Sequence, residues 1–466
     1  MASHRYAVGW RAVFARLVRA VRWRAAAAAP PRSACRRAQP RGSRRAAWPR
    51  RGRRGHAALG RGGVTSALAG TRVVELGGYA AGPVVGKYLA NYGADVIRIE
   101  SRRRLDGFRT HYPPFQHNVP GVERAGIFSY FNDGKRSITL NLKTERGQKL
   151  ARQLIERSDV VVENFTPGTM ERLGLGFAGL IELNPCLVML STCNQGQTGP
   201  RAAQPGFGSQ LTALSGFTHL LGEPDRTPVL LYGPYIDYIA VGYGTIAVLA
   251  ALAQRRRTGR GVHIDLSQYE AGLQFLAPAL LDYFANGRVA SRQANRHPSA
   301  APHGVYACRG EERWCALSIW TDAEWRSFVS AIGAPAWALY ERFNTVLGRK
   351  AHEVELDAHI GEWTRDRSRE EVVAVLRERG LRVAAVSSMA DLFADPQLTL
   401  YAWRVVEHPV LGRVHVMAPP FLLRETPPQV GRAAPLLGEH TREILHDVLG
   451  LKDTEISALQ AEGVLD

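Results

Sequence analysis

Short apolar runs alternate with amphipathic segments from residue 67 to about residue 195. The runs TRVVEL, ADVIRIE, SDVVVENF and PCLVMLST are rich in β-branched residues and predict strands. The intervening VVGKYLANYG, KTERGQKLARQLIERS and ERLGLGFAGLIELN have the apolar spacing of helices. Strands that alternate with helices indicate a parallel sheet that is buried on both faces and has right-handed crossovers. The pattern therefore predicts an α/β fold with a Rossmann-like open sheet.

The pattern changes twice further along the chain. An apolar stretch from Tyr238 to Leu252 predicts a buried helix, and arginines follow it, as suits a helix C-terminus. We predict a large Rossmann-like domain over 67–288, a linker over 289–310, a smaller α+β domain over 311–398, and a C-terminal segment over 399–466 that returns to the large domain.

Composition fits a soluble globular protein. Of the 466 residues, 45% are apolar and 22% are charged, and no run of about 18 apolar residues occurs. We therefore expect no membrane-spanning helix.

Positive charge is concentrated at the N-terminus. The net charge is +18, and residues 1–66 contain 17 Arg, no Lys and no acidic residue, which leaves +1 for 67–466. The body therefore needs no nucleic-acid partner. We expect residues 1–66 to be a disordered tail, because large apolar residues are scarce there. It is interpreted as translated sequence upstream of the true start, with Val64 as initiator, or as a targeting peptide, or as a basic arm that binds nucleic acid with steep salt dependence.

The five cysteines form no C-x-x-C pair, so no metal site is expected. Their odd number fits a reducing compartment with free thiols. We expect a cytoplasmic location, or a mitochondrial one if residues 1–63 are a transit peptide.

Candidate chemistry follows the strands, because ligands of open α/β sheets bind beyond the strands' carboxyl ends. The glycine turn GGYAAGP allows close approach of a ligand, although many such turns only join a strand to a helix. In ENFTPGTMERLG, Thr166 can cap a helix that has Pro167 at its first position. This segment is interpreted either as a nucleotide clamp or as a well-capped helix alone. Asp237 precedes the long apolar helix, where an ordinary N-cap is the alternative to a functional carboxylate.

Several blocks, in one order, resemble the class III CoA-transferases, the CaiB–BaiF family that includes formyl-CoA transferase and the carnitine CoA-transferases. They are TRVVELGGYAAGP, GADVIRIE, NDGKRSITLNLKTERG, VVENFTPGTMERLG, TGRGVHIDLSQYEA and APLLGEHT, and the resemblance covers 68–466. It implies transfer of CoA from an acyl-CoA to a carboxylic acid, with no tightly bound cofactor. It also implies an interlocked homodimer, and a hetero-oligomeric partner is the alternative.

The resemblance also implies roles for individual residues. Asp237 matches the aspartate that carries anhydride and aspartyl-CoA thioester intermediates, and we expect the helix N-terminus to keep it ionised. Small residues near it, Gly206, Gly208 and Gly233, can bring backbone donors close to the reacting carbonyl. The residues that match CoA contacts are Arg102, Leu140, Asn141, Leu142, Lys143, Asn164, Phe165, Thr166, Arg172 and Phe207.

Arg102 is the weaker of these candidates, because Ser101 stands where formyl-CoA transferase has its arginine. Two departures argue against formyl-CoA specificity: Ala80 stands where formyl-CoA transferase has a catalytic glutamine, and the glycine-rich loop of that enzyme has no counterpart. The segment SAAPHGVY, with His303, is a candidate replacement for that loop, although a lone loop histidine is more often structural.

Two other enzyme-level hypotheses stay open. An α-methylacyl-CoA racemase has a Gly-His-Asp triplet where this chain has Gly206, Phe207 and Gly208, so a two-base mechanism lacks its histidine. A non-catalytic subunit of a hetero-oligomeric CoA-transferase is disfavoured by the presence of Asp237.

Overall fold

The chain forms two compact units. The structure, a computed structural model, describes residues 66–466 and the backbone of Val21–Ala25. The large unit comprises 66–218, 230–285 and 399–466 together with the Val21–Ala25 strand, and the small unit comprises 219–229 and 286–398. The chain therefore leaves the large unit and returns to it.

The large unit is built on one open sheet. Its strands are β1 (Val21–Ala25), β2 (Arg72–Leu76), β3 (Asp95–Glu100), β4 (Arg136–Thr139), β5 (Val160–Glu163), β6 (Val188–Cys193) and β7 (Val262–Ser267). They lie in the order β1-β7-β6-β5-β2-β3-β4. Strands β2 to β7 pair in parallel, and β1 pairs antiparallel with β7. The predicted Rossmann-like open sheet is confirmed.

Both faces of the sheet are buried, as the apolar runs predict. Val73 and Val74 are neighbours in β2 and are both fully buried. Side chains alternate along a strand, so the two point to opposite faces. Val73 belongs to one apolar cluster with Val85, and Val74 belongs to a second with Leu154. The two clusters are the two layers of the core.

Two strands of this large sheet, β1 and β4, were not predicted. β4, Arg136–Thr139, has Ile138 as its only large apolar residue, so no apolar run marks it in the sequence. β1 lies within the tail that we expect to be disordered, and its backbone pairs with the edge of the sheet that β7 would otherwise expose. The rest of the tail lies outside the described residues.

Helices connect and cover the strands. Those up to residue 286 are α1 (Ala81–Asn91), α2 (Gly107–Thr110), α3 (Gly126–Asn132), α4 (Glu145–Glu156), α5 (Thr169–Arg172), α6 (Phe177–Leu183), α7 (Gly208–Leu214), α8 (Phe217–Leu220), α9 (Tyr235–Thr258), α10 (Gln268–Leu273) and α11 (Ala277–Asn286). Those beyond it are α12 (Asp322–Ala331), α13 (Val346–Ala351), α14 (Glu353–Arg365), α15 (Arg369–Glu378), α16 (Met389–Ala394), α17 (Pro396–Tyr401), α18 (Thr441–Asp447) and α19 (Asp453–Ala461).

Helix α9 is the predicted long apolar helix. A Cβ at Gly244 would lie 3.2 Å from side-chain atoms of Leu190 and Val85, so a glycine lets the helix approach the sheet and α1 closely. The helix ends at Gly259, whose φ of 68° is typical of a C-terminal glycine. By length and a mean hydropathy of 1.7 α9 is able to cross a membrane, but half of that stretch is buried, as in the core helix of a soluble protein.

The small unit has its own sheet and core. Strands β8 (His303–Ala307), β9 (Trp314–Ser318) and β10 (Arg382–Ala385) form an antiparallel sheet in the order β10-β9-β8. Buried aromatic and aliphatic side chains, among them Trp325 and Phe328, fill the space between this sheet and the helices. The segment 289–310, predicted as a linker, contains β8 and belongs to this unit. The short run HGVYA forms a strand because it pairs with β9, and the local sequence pattern does not indicate this pairing.

The C-terminal segment begins with a hairpin of β11 (Trp403–His408) and β12 (Gly412–Met417). It then runs along the β4 side of the sheet, where His440 N–H donates to Ser137 O and Asn141 N–H donates to Val464 O. Residues 399–466 therefore complete the large unit.

Cys193, Cys308 and Cys315 are buried free thiols, as expected for these three residues.

A cluster of buried charged side chains lies at strands β2 and β3 of the large sheet. We call it the ion cluster, and it comprises Glu75, Arg98, Glu100, Asp106, Arg109 and Lys135. Arg98 donates to Glu75 at 2.6 Å, and Lys135 donates to the same carboxylate at 2.9 Å. Burial alone would raise the pKa of Glu100, but Arg109 and Arg98 outweigh it and hold that pKa at about 2. Each charge is thus compensated within the low-dielectric interior.

Replacing Lys135 with methionine should lower the free energy of unfolding by about 3 to 5 kcal/mol, because part of the buried Glu75 charge loses its partner. Urea denaturation measures the loss. Arg146→Gln is the control, since its pair with Glu462 is about half exposed and should contribute less than about 1 kcal/mol. If the two variants have the same free energy of unfolding, the prediction that the buried Lys135–Glu75 pair stabilises the fold more than an exposed pair is contradicted.

Candidate active site

The glycine turn after β2 is held by Asn164, the residue that follows β5. Asn164 Nδ2 donates to Gly78 O at 2.7 Å, and Asn164 Oδ1 accepts from Gly78 N–H at 3.1 Å. Gly77 has a φ of 110°, and a Cβ there would lie 1.9 Å from Asn164 Oδ1. The turn therefore requires glycine at this position, and the Asn164 amide is occupied in fixing the turn.

Tyr79, the next residue of the turn, carries an aromatic ring towards the start of α7. Its ring centroid lies 5.6 Å from that of Phe207, in an edge-to-face arrangement. Phe207 is the N-cap residue of α7 and is 53% exposed. The turn after β2 and the segment before α7 thus meet at two aromatic rings.

Asp237 lies in the first turn of α9, next to this aromatic pair. A Cβ at Gly208 would lie 2.8 Å from Asp237 Oδ1 and 2.7 Å from Pro234 Cβ. Glycine at position 208 therefore lets the backbone of α7 approach the carboxylate. The N-cap of α9 is Pro234, so the alternative interpretation of Asp237 as the N-cap residue is wrong.

The negative charge of the Asp237 carboxylate receives little stabilisation from the described residues. The residue is partly buried, and no described residue donates a hydrogen bond to its carboxylate oxygens. Burial raises the pKa of Asp237 to about 7. Burial therefore opposes the helix N-terminus, which we expect to favour the ionised carboxylate. A carboxylate with few hydrogen bonds is a stronger nucleophile than one held by several donors.

The predicted CoA contacts at 140–143 divide into buried and surface residues. The Leu140 side chain is fully buried in the second apolar cluster, and Asn141 Nδ2 donates to Gly463 O at 3.4 Å. These two side chains are occupied within the fold, and the prediction that 140–143 lines the nucleotide stays a prediction. Leu142 packs at the border of the second cluster, and Lys143 is exposed.

The segment after β5 is built differently from the prediction. The N-cap of α5 is Gly168, with a φ of 77°, so Thr166 does not cap this helix, and Pro167 lies before it. A left-handed glycine turns the chain into α5 instead. Phe165 borders the second apolar cluster, as does Leu142.

Two predicted arginines are exposed. Arg172 donates to Thr169 Oγ1 at 2.7 Å, and Arg102 donates to Leu437 O at 3.4 Å. Neither forms an ion pair with a described residue, so both guanidinium charges are available to an anion. The structure does not bring them into contact with Asp237.

The remaining residues with predicted roles are scattered. Ala80 is buried at the start of α1, and Gly206 O accepts from Asn194 Nδ2. Gly233 has a φ of 75°, which glycine tolerates. His303 lies in β8 of the small unit, where its Nδ1 faces Asn295 O.

Sequence reasoning missed Tyr79 and the side chain that positions it. Tyr79 N–H donates to Asp106, and Asp106 pairs with the buried Arg98. The position of a tyrosine directly after two glycines was the available signal. Nothing in the local sequence indicates that Asp106, twenty-seven residues later, reaches back to this turn.

Comparison with known proteins decides the family. A family model described as CoA-transferase family III matches residues 68–441. The chain belongs to this family. The family III CoA-transferase is 33% identical to a succinyl-CoA–D-citramalate CoA-transferase of Chloroflexus aurantiacus over 84% of its length and 97% of the relative's. It is also 33% identical to a succinate–glutarate CoA-transferase of Agrobacterium fabrum, over 83% and 97% of the two chains.

A solved structure supports the same assignment. A CAIB/BAIF family protein from Brucella suis is 32% identical, with a TM-score of 0.76 over 82% of this transferase and all of that chain. The family prediction and the fold class are confirmed. Among residues 66–466, no group of three or more His, Cys, Asp or Glu side chains is arranged to hold a metal ion.

Gly208→Ala should reduce kcat of the transferase about 10- to 100-fold, because the added Cβ displaces the Asp237 carboxylate. Gly242→Ala on α9 is the control, since a Cβ there meets no atom within 4 Å. Steady-state kinetics and thermal unfolding of both variants separate a displaced side chain from a misfolded one. An unchanged kcat in a folded Gly208→Ala enzyme would contradict the assignment of the site.

Proposed function

We propose that this transferase moves CoA from a dicarboxylic acyl-CoA to a free dicarboxylic acid through covalent intermediates on Asp237. The observation that carries the proposal is the carboxylate itself. It lies at the carboxyl-end side of the sheet, lacks hydrogen-bond donors among the described residues, and is approached by the backbone at Gly208. The substrate class rests on the relatives, whose names specify succinyl-CoA or succinate with citramalate or glutarate.

The reaction balances without an external acid or base. The Asp237 carboxylate attacks the thioester carbonyl, which forms a mixed anhydride and releases the CoA thiolate. The thiolate attacks the aspartyl carbonyl of this anhydride, forms an aspartyl-CoA thioester and releases the first acid. The incoming carboxylate attacks that thioester and again gives an anhydride and the thiolate. Attack of the thiolate on the new acyl carbonyl then regenerates Asp237.

The surroundings of Asp237 suit these steps. Each anhydride must be shielded from water, and partial burial of the carboxylate contributes to that shielding. The rings of Phe207 and Tyr79 offer apolar surface on the neighbouring side. Backbone N–H groups close to a glycine can reach the oxyanion of each tetrahedral intermediate.

CoA itself is assigned to the surface around the carboxyl ends of β4 and β5. Lys143 and Arg172 offer exposed positive charges for its phosphates, while Leu142 and Phe165 offer apolar surface beside them. Arg102 is a further candidate for phosphate binding.

The racemase alternative has less support. Phe207 and Gly208 lie beside Asp237 at the positions where the racemases have histidine and aspartate, and neither residue can carry a proton. The homodimer and the cytoplasmic location stay predictions. Exposed apolar residues on α9, including Ile246, are consistent with cover by another chain.

Asp237→Asn should lose at least about a thousand-fold in CoA transfer from succinyl-CoA to glutarate, since the nucleophile is removed. Incubation of the wild type with succinyl-CoA and hydroxylamine should give a hydroxamate at residue 237, detected by peptide mass spectrometry. Asp453→Asn, an exposed carboxylate paired with Arg442, is the control and should keep full activity. Transfer by Asp237→Asn at the wild-type rate would refute the mechanism.

The pH dependence of kcat/KM should report the ionisation of Asp237. Because burial raises the pKa of Asp237 to about 7, the carboxylate form is lost as pH falls through that value. We expect kcat/KM for the acyl-CoA to fall about tenfold per pH unit below 7 and to level off above it. Rates from pH 5.5 to 8.5, with recovery on return to pH 8, test this. An apparent pKa near that of a free aspartate would contradict it.

A further inference from the structure

A row of three polar side chains crosses the sheet of the small unit. His303 on β8 lies opposite Ser318 on β9, and Ser318 lies opposite Arg382 on β10. Residues directly opposite each other in antiparallel strands point to the same face, with Cβ atoms about 5 Å apart. The three side chains therefore form one polar row on a single face of the sheet.

This face is not the one that packs on the core of the small unit. Leu317 and Val383, which alternate with the polar row along β9 and β10, are buried in that core. On the other face, the row next to the polar one consists of Val305, Ala316 and Ala384. Two of these three side chains are single methyl groups, so they leave space beside the polar row.

An open cavity of about 400 Å³ occupies this space. The polar row, the apolar row of Val305, Ala316 and Ala384, and Asn295 from the segment before β8 line it. Its volume lies in the range of small-molecule sites. One side of the cavity is thus polar and the other is apolar, which suits a ligand with both characters.

The hydroxyl group in the middle of the polar row lacks a hydrogen bond. Ser318 Oγ is shielded from solvent, and no described residue forms a hydrogen bond with it. Native proteins leave few buried polar groups in this state, because it is unfavourable. A change of rotamer about the Cα–Cβ bond turns the hydroxyl towards a ligand in the cavity, which would satisfy it.

Arg382 places a guanidinium group at one end of the polar row. Its Nη1 pairs with Glu324 Oε1, while Glu324 Oε2 accepts from the N–H groups of Trp320 and Thr321. Glu324 is therefore held by the start of α12 and in turn fixes the guanidinium. Nε and Nη2 of Arg382 form no hydrogen bond with a described residue. These two nitrogens form a fork that fits a carboxylate.

His303 places a hydrogen-bond acceptor at the other end of the row. Its Nδ1 faces the carbonyl oxygen of Asn295, which can only accept, so Nδ1 carries the proton. In the neutral ring Nε2 then has a lone pair, and no described residue donates to it. The rings of His297 and Trp320 pack beside it, with centroids 5.4 and 6.3 Å away. An acceptor held in this way suits a hydroxyl group.

We propose that this cavity binds a short hydroxy acid, with its carboxylate on Arg382 and Ser318, its hydroxyl on His303 Nε2 and its carbon chain on the apolar row. Each group of the polar row then has a partner of matching chemistry. Asp237 does not line the cavity, and binding there requires no acyl-CoA.

The test compares three molecules that differ in one functional group. Isothermal titration calorimetry is done without acyl-CoA. The wild-type protein should bind 3-hydroxybutanoate with a Kd at least fivefold below that of butanoate, which lacks the hydroxyl. Butane-1,3-diol, which lacks the carboxylate, should have a Kd at least tenfold above that of 3-hydroxybutanoate. Equal Kd values for the three molecules, or no binding of any of them, overturn the proposal.

Variants assign the binding to the cavity. Arg382→Gln should raise the Kd of both acids at least tenfold. His303→Phe should raise the Kd of 3-hydroxybutanoate to that of butanoate and leave butanoate within twofold. Ala316→Leu fills the cavity and should abolish binding. Arg309→Gln is the matched control, because Arg309 is another exposed arginine of the small unit, paired with Glu371, and every Kd should stay unchanged.

Two other results would assign this face differently. If 3-hydroxybutanoate binds but Arg382→Gln and Ala316→Leu leave its Kd unchanged, the acid binds elsewhere and the proposal is overturned. If none of the three molecules binds and Arg382→Gln lowers the molar mass measured by light scattering, the face contacts a second chain, and the proposal is again overturned. Thermal unfolding shows whether each variant is folded, and Arg382 is exposed, so its replacement should not disturb the core.

Discussion

The buried ion pairs of Arg98 are the interactions on which the candidate site depends. Arg98 bridges Glu75 of β2 and Asp106 of the loop after β3, and it also donates to Gly77 O at 3.1 Å. An arginine suits this position because its planar guanidinium satisfies several acceptors in fixed directions. Asp106 in turn fixes the backbone of Tyr79, because its carboxylate accepts the Tyr79 N–H. The turn next to Asp237 is therefore held by charges that are buried from water.

The pKa values of two buried carboxylates in the large unit are shifted in opposite directions. Glu100 has two arginines beside it, which hold its pKa at about 2. Asp237 is desolvated without such a partner, and its pKa rises to about 7. Carboxylates paired with arginines, such as Glu100, stabilise the fold, whereas an unpaired carboxylate such as Asp237 remains available to react. Asp237 is also placed by the backbone rather than by hydrogen bonds, through glycine at position 208.

The site differs from that of formyl-CoA transferase in its recognition surface. Ala80 is buried at the start of α1 and presents no amide where that enzyme has a glutamine. The residue before it, Tyr79, projects an exposed ring instead. Aromatic surface thus lies next to the position where formyl-CoA transferase has an amide.

Local sequence determined the elements that are long or strongly patterned. The Val- and Ile-rich runs specify β2, β3, β5 and β6, because strands buried on both faces need continuous apolar side chains. The stretch after Asp237 specifies α9, and motifs that recur within a family singled out Asp237 as the candidate nucleophile. Tertiary structure decided what depends on partners distant in sequence. β4 and β8 are defined by the strands they pair with, and Tyr79 acquires its conformation from Asp106 and Arg98. The pKa of Asp237 was likewise beyond the sequence, because it reflects how much water the folded chain removes from one carboxylate.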